Sequence, residues 1–207
     1  MQPFSADERA AIADAISRAE KETSGEIVVV VTSASARYFA IGVIWAALVA
    51  LGVPLPLIWL TKWPVEHIFL AQLVVFALGL ALIQWEPFRF ALVPKSVKRA
   101  RAHERAVEQF LAQNLHTTKG RTGVLIYVSF AEHFAGVIAD NAIYEKVPKE
   151  TWEQVVREVT GHLNRGARDK GLIASIETCG KLLAKHFPPR RHEAEELPNH
   201  LIVLDAR

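Results

Sequence analysis

The chain has 207 residues, 51% hydrophobic and 22% charged, with a formal net charge of +2 from 24 basic and 22 acidic side chains. That length allows one packed domain of modest size plus some membrane-buried chain, and is too short for two ordinary domains and a membrane segment. The charge balance carries no nucleic-acid signature, and the single cysteine, Cys179, excludes an internal disulfide and a Cys-based zinc site.

The first element is a helix. Ser5-Ala6-Asp7-Glu8 has the pattern of a capping box, with Ile12 and Ile16 following on one face. No apolar core of a secretory signal precedes it. Gly25 marks the exit, and "EIVVVV" from Glu26 is a β-branched run suited to a strand covered on both sides.

Within about ten residues the chain changes character. Tyr38 to Leu60 contains no charged residue, and at a rise of about 1.5 Å per residue it exceeds a hydrocarbon core of about 30 Å. Ile68 to Trp85 is a second uncharged run near the lower end of spanning length. The pair predicts a transmembrane helical hairpin over 38–85, with spans at about 38–60 and 68–85 and a bend at Pro54 and Pro56. Tyr38 and Trp85 are expected at one membrane interface, Trp59 and Trp63 at the other. The connecting loop carries only Lys62, whereas Arg37 precedes the first span and Arg89, Lys95, Lys98, Arg99, Arg101 and Arg105 follow the second. Basic residues favour the cytoplasmic side, so both flanks are expected there. Lys95, Lys98, Arg99 and Arg101 suit either anionic lipid or a solvated helix face.

After Pro94 a helix is expected to about Asn114, with Val107, Phe110 and Leu111 inward. "GVLIYVS" then predicts a second strand and "FAGVIAD" a third, joined by a hairpin through "FAEHF". Pro148 with Thr151 and Gln154 opens a helix whose Trp152, Val155, Val156, Val159 and Leu163 share a face. Gly166 and Gly171 bracket a loop, and a last helix to about Phe187 turns Leu172, Ile176, Leu183 and Phe187 inward before Pro188. Cys179 near that face reads as a small buried hydrophobe. Residues 188–207 read as a charged tail, in which "HLIVL" is either a fourth strand or, preferred, part of the tail.

A helix, "SGEIVVVV", a helix, "TGVLIYVSFAEHFAGVIAD", a Trp-bearing helix opening "PKETWEQVV" and a final helix from "KGLIASI" together resemble the TPM domain family. The resemblance covers about Phe4 to Ser33 and Arg99 to Phe187, with Gly123, Asp140 and Gly171 well placed. It implies a three-layer α/β/α sandwich with a mixed sheet, in two parts (1–35 and 94–187) interrupted by the hairpin. It also implies a bacterial, membrane-anchored branch whose spans are inserted after the first strand. Insertion into an edge loop is tolerated when the loop ends stay close.

The family resemblance further implies two activities, a metal-dependent acid phosphatase and calcium binding, with acids on the loops after the strands. The matching positions are Glu132, Asp140 and Asn141 as ligands for calcium or another divalent cation, and Arg121 as a phosphate contact. Thr122 stands where an acid or amide commonly precedes the glycine, and two acids with one amide are few ligands for a hard cation. Templates for a phosphate loop, a zinc protease helix and a Ser-nucleophile elbow fail on spacing. The expected function is a non-enzymatic binding or assembly and repair factor, anchored in the bacterial inner membrane as a multi-pass protein, with its soluble domain cytoplasmic. Its partners are the lipid bilayer and a membrane protein complex, with no nucleic acid. The alternative is the metal-dependent phosphatase, and family domains are often exported, against the charge rule.

Overall fold

A computed structural model describes residues 4–118, 120–164, 168–189 and 201–204, with the side chains at 149, 158, 159 and 162–164 outside the description. In chain order the elements are α1 (Ala6–Glu20), β1 (Glu26–Thr32), α2 (Phe39–Gly52), α3 (Pro54–Leu60), α4 (Val65–Ile83), α5 (Glu86–Ala91) and α6 (Lys95–Ala112). A 3-10 turn (Leu115–Thr117), β2 (Gly123–Ser129), β3 (Phe134–Ala139), α7 (Asn141–Tyr144), α8 (Lys149–Asn164), α9 (Arg168–His186) and β4 (Leu201–Leu204) follow. They form two compact units, Met1–Ser35 with Arg99–Arg207, and Ala36–Lys98.

The larger unit is built on a four-stranded mixed sheet in the order β3-β2-β1-β4. β1 pairs in parallel with β2, Glu26 opposite Gly123 through Thr32 opposite Ser129, and with β4 from Val29 opposite Leu201. β3 runs antiparallel to β2, Val124 opposite Ala139. Alternation of side chains sends Ile27, Val29, Val31, Val124, Ile126 and Val128 to one face and Val28, Val30, Leu125 and Tyr127 to the other. The first set packs under α1, α8 and α9 through Ile12, Ile16, Trp152, Val155, Leu172, Ile176 and Leu183. The second meets Ala106 and Phe110 of α6. Both faces are covered, which is why β1 and β2 are apolar along their length. This is the expected three-layer α/β arrangement.

The Ser5 capping box is present, with Ser5 Oγ accepting from Glu8 N at 3.1 Å and Glu8 Oε2 from Ser5 N at 2.6 Å. Gly123 allows a close crossing, since a Cβ there would lie 2.6 Å from the Leu115 carbonyl oxygen.

Four expectations are corrected. The inner face of α6 is Ala102, Ala106, Gln109 and Phe110, while Val107 and Leu111 are exposed; two alanines on that face need less room against the sheet than larger side chains. α8 begins at Lys149, so Thr151 lies inside the first turn with its N–H donating to the Pro148 carbonyl at 3.1 Å rather than at the cap. Gly171 is a buried residue of α9, not a loop end. Leu201–Leu204 is a strand, because an apolar β-branched segment extends the sheet beside β1 instead of remaining a tail. Gly166, the side chains of Val159 and Leu163, and the charged segment 190–200 lie outside the described residues.

In the smaller unit, Phe39–Leu60 and Val65–Ile83 are long and apolar enough to cross a membrane. The first breaks between Gly52 and Pro54, where proline removes a backbone donor and starts a new helix, as Pro54 and Pro56 predicted. The second begins earlier than expected, with Pro64 at the N-cap and Glu66 and His67 in the first turn. α2 and α4 pack antiparallel through small residues: a Cβ on Gly42 would lie 2.8 Å from Ile83, and one on Gly79 would lie 2.9 Å from Ala46. Close backbone approach of this kind is how apolar helices associate without a hydrophobic driving force.

Candidate functional site

The in-register pairing of β1 and β2 continues beyond both strands. Phe130 N donates to the Thr32 carbonyl at 3.1 Å and Ala131 N to the Ser33 carbonyl at 2.9 Å. Residues three positions past Thr32 and Ser129, Ser35 and Glu132, therefore meet. His133 takes a positive φ of 49° as the chain reverses into β3. The carboxylate of Glu132, 6% exposed, accepts from Ser35 N at 3.0 and 3.1 Å and from the Ser129 hydroxyl. Ser35 Oγ in turn lies 2.9 Å from the Tyr127 hydroxyl.

Burial pushes the Tyr127 phenol up to about 12; the Ser35 hydrogen bond lowers it and the neighbouring Glu132 charge raises it. The Tyr127 phenol and the Glu132 carboxylate thus share one hydroxyl-rich cluster at the carboxyl ends of two parallel strands. In α/β sheets that end is where ligand sites form. Here the carboxylate is already engaged by donors of its own chain.

Asp140 is at the opposite end of the sheet. β3 reverses along β2, so Asp140 N reaches the Gly123 carbonyl at 3.0 Å, six strand positions from Ser129 and about 20 Å away along the strand. Asp140, 4% exposed, caps α7 and accepts from Asn141 N at 2.6 Å. Arg121 Nε lies 3.4 Å from both carboxylate oxygens. The three residues expected to form one cation site are accordingly divided: Asp140 and Asn141 stand together, with Arg121, the expected phosphate contact, beside Asp140, and Glu132 does not join them. Among the described residues no group of three or more His, Cys, Asp or Glu side chains stands together as metal ligands do.

At the hairpin, Trp59, Trp63 and Trp85 are exposed, Trp59 at 88%. Tyr38 differs from the interfacial ring expected. It is buried, with a positive φ of 53° and its ring edge-on to Phe90 at 5.3 Å. Lys95, Arg99 and Arg101 are exposed and Lys98 is half-buried. Arg101 pairs with Glu104 at 2.9 Å and Arg105 with Glu108 at 2.6 Å along α6.

An α/β domain with a mixed sheet between helices, carrying an apolar helical pair between its first strand and α6, is the class of protein these features define. Residues 87–182 match the TPM domain family model. The NMR structure of BA42 protein from the psychrophilic bacterium Bizionia argentinensis superposes with a TM-score of 0.61 at 23% identity, covering 98% of this chain and 96% of that one. That likeness establishes the fold. No curated protein matches the chain.

Sequence reasoning missed Ser35 and Ser129 as partners of Glu132, and Tyr127 as the partner of Ser35. The available signal was the hydroxyl-bearing residues gathered at the ends of β1 and β2, Thr32, Ser33, Ser35 and Ser129.

Proposed function

We propose that the protein is a membrane-anchored TPM-like module that acts by binding, as an assembly or repair factor for a membrane protein complex, rather than by catalysis. The observation that carries this reading is the hairpin surface. Ile44, Leu48, Leu51, Phe69, Leu70 and Leu73 are all exposed. Only 17% and 11% of the two apolar windows are buried, whereas the core helix of a soluble domain would be mostly buried. Such a surface is at home in hydrocarbon. On the domain side, Glu132 and Asp140 are spent on holding loops and lie at opposite ends of the sheet, which does not supply the paired carboxylates a metal-dependent phosphatase would use.

The soluble unit faces the cytoplasm on the basic-residue rule, with Arg37 before the hairpin and Arg89, Lys95, Lys98 and Arg99 after it. Crosslinking in membranes followed by purification in mild detergent tests the binding reading: a discrete membrane-protein partner is expected. A chain recovered alone under every condition would count against it. Phosphate-ester turnover that requires a divalent metal and disappears in Asp140→Asn would replace binding by catalysis.

A further inference from the structure

The hairpin carries an apolar groove that its own helices leave open. Its volume is about 300 Å³, and Ala46, Val49, Val75, Gly79, Phe88 and Leu92 are among its lining residues from α2, α4, α5 and the turn after α5. The small side chains of Ala46 and Gly79 that bring α2 and α4 together also leave the floor of the groove without bulk. α5 closes one end. It follows the second span directly and starts after Trp85, which marks headgroup level for a helix in a bilayer.

Arg89 does not itself line the groove but stands on α5 between Phe88 and Leu92, which do. Its side chain is only 13% exposed, and its one ion pair among the described residues, with Glu86, is long at 3.6 Å and made to a carboxylate that is 77% exposed. Arg89 Nε is buried with no hydrogen-bond partner among the described residues. A desolvated guanidinium with an unused donor is costly unless an anion meets it, and its planar fork suits phosphate. Lys95 and Lys98 follow shortly in the chain and add to the positive charge.

We infer that the groove and Arg89 together bind one anionic glycerophospholipid, an acyl chain lying in the groove and the phosphate on Arg89. The groove is too small for a partner helix, which is roughly 10 Å across with its side chains. An all-apolar lining offers water none of the polar partners it needs. The inference rests on the membrane-anchored reading of the hairpin.

The full chain, exchanged into detergent, is offered phosphatidylglycerol or phosphatidylcholine of identical acyl chains, and bound lipid is counted by native mass spectrometry. The wild type should retain phosphatidylglycerol in preference to phosphatidylcholine. Arg89→Gln should lower phosphatidylglycerol retention at least about tenfold, as loss of a charge-assisted contact implies. Val49→Trp fills the groove from an exposed position and should lower retention of both lipids. Equal retention of the two lipids by the wild type, or unchanged retention in both variants, would overturn the site. Alkaline extraction of the same chain separates the two readings: release from membranes refutes the anchor and this site with it, whereas a chain that stays without preferring phosphatidylglycerol refutes only the site.

Discussion

Glu132→Ala removes the acceptor at the end of β1 and β2 and is the sharpest test of the loop clamp. At least two donors lose their partner, Ser35 N–H and the Ser129 hydroxyl. Hydrogen bonds to a charged acceptor contribute about 1.5–3 kcal/mol, and an orphaned buried donor loses the full desolvation term. Ser129 is 1% exposed and cannot recover water, whereas Ser35 is half-buried and recovers part of it. The expected loss is about 2–4 kcal/mol. For a unit of this size each kcal/mol lowers Tm by about 2–4 °C, so a fall of roughly 10 °C is expected. Thermal unfolding of the purified chain in mild detergent, followed by circular dichroism, reads it, with the hairpin helices as an unmelted baseline. Glu132→Gln keeps one amide oxygen as acceptor and should lose about half as much. A Glu132→Ala melt within about 2 °C of the wild type would refute the clamp.

Tyr127 makes stability fall at high pH. The unfolded phenol ionises near 10 while the folded one holds its proton to about 12, so the folded state binds more protons between them and stability declines across that window. Tyr127→Phe should flatten the decline in urea midpoints measured from pH 9 to 12; an unchanged slope would contradict the burial of the phenol. At the other end of the sheet, Asp140→Ala should cost about 1–2 kcal/mol through loss of the α7 cap, and Arg121→Ala at most about 1 kcal/mol because its side chain is 59% exposed. Equilibrium unfolding of the two variants would show the reverse order if the ion pair dominated. Gly180→Val places a Cβ 2.7 Å from Ala19 Cβ, so α1 and α9 must part. A loss of about 1–3 kcal/mol is expected, and a neutral outcome would mean that this helix contact is looser than the structure has it.

Much of the fold was legible because its signals are local. β1, β2 and β3 follow from their apolar β-branched runs, the start of α1 from its capping box, and the hairpin from two uncharged stretches. What escaped depends on pairing across distance. The inner face of α6 is written in alanines, which periodicity of large residues overlooks. β4 is four residues whose partner, β1, lies far back in the chain. The meeting of Ser35 with Glu132 requires the register of β1 against β2. The separation of Glu132 from Asp140, in contrast, was readable: both flank one strand of a hairpin, and the two ends of a six-residue strand lie about 20 Å apart. Family resemblance had placed them together.

Embedding of the hairpin in a bilayer underlies the binding role proposed at the membrane. Membranes from cells making the full chain, washed with alkaline carbonate, test it most directly when compared with a Leu48→Arg, Leu73→Arg double variant that places charge on the exposed faces of α2 and α4. The wild type should stay in the membrane pellet and the variant should be depleted from it, since each central arginine costs about 2.5–3.5 kcal/mol on insertion. Release of the wild type into the supernatant would contradict the anchor, and with it the binding role proposed at the membrane.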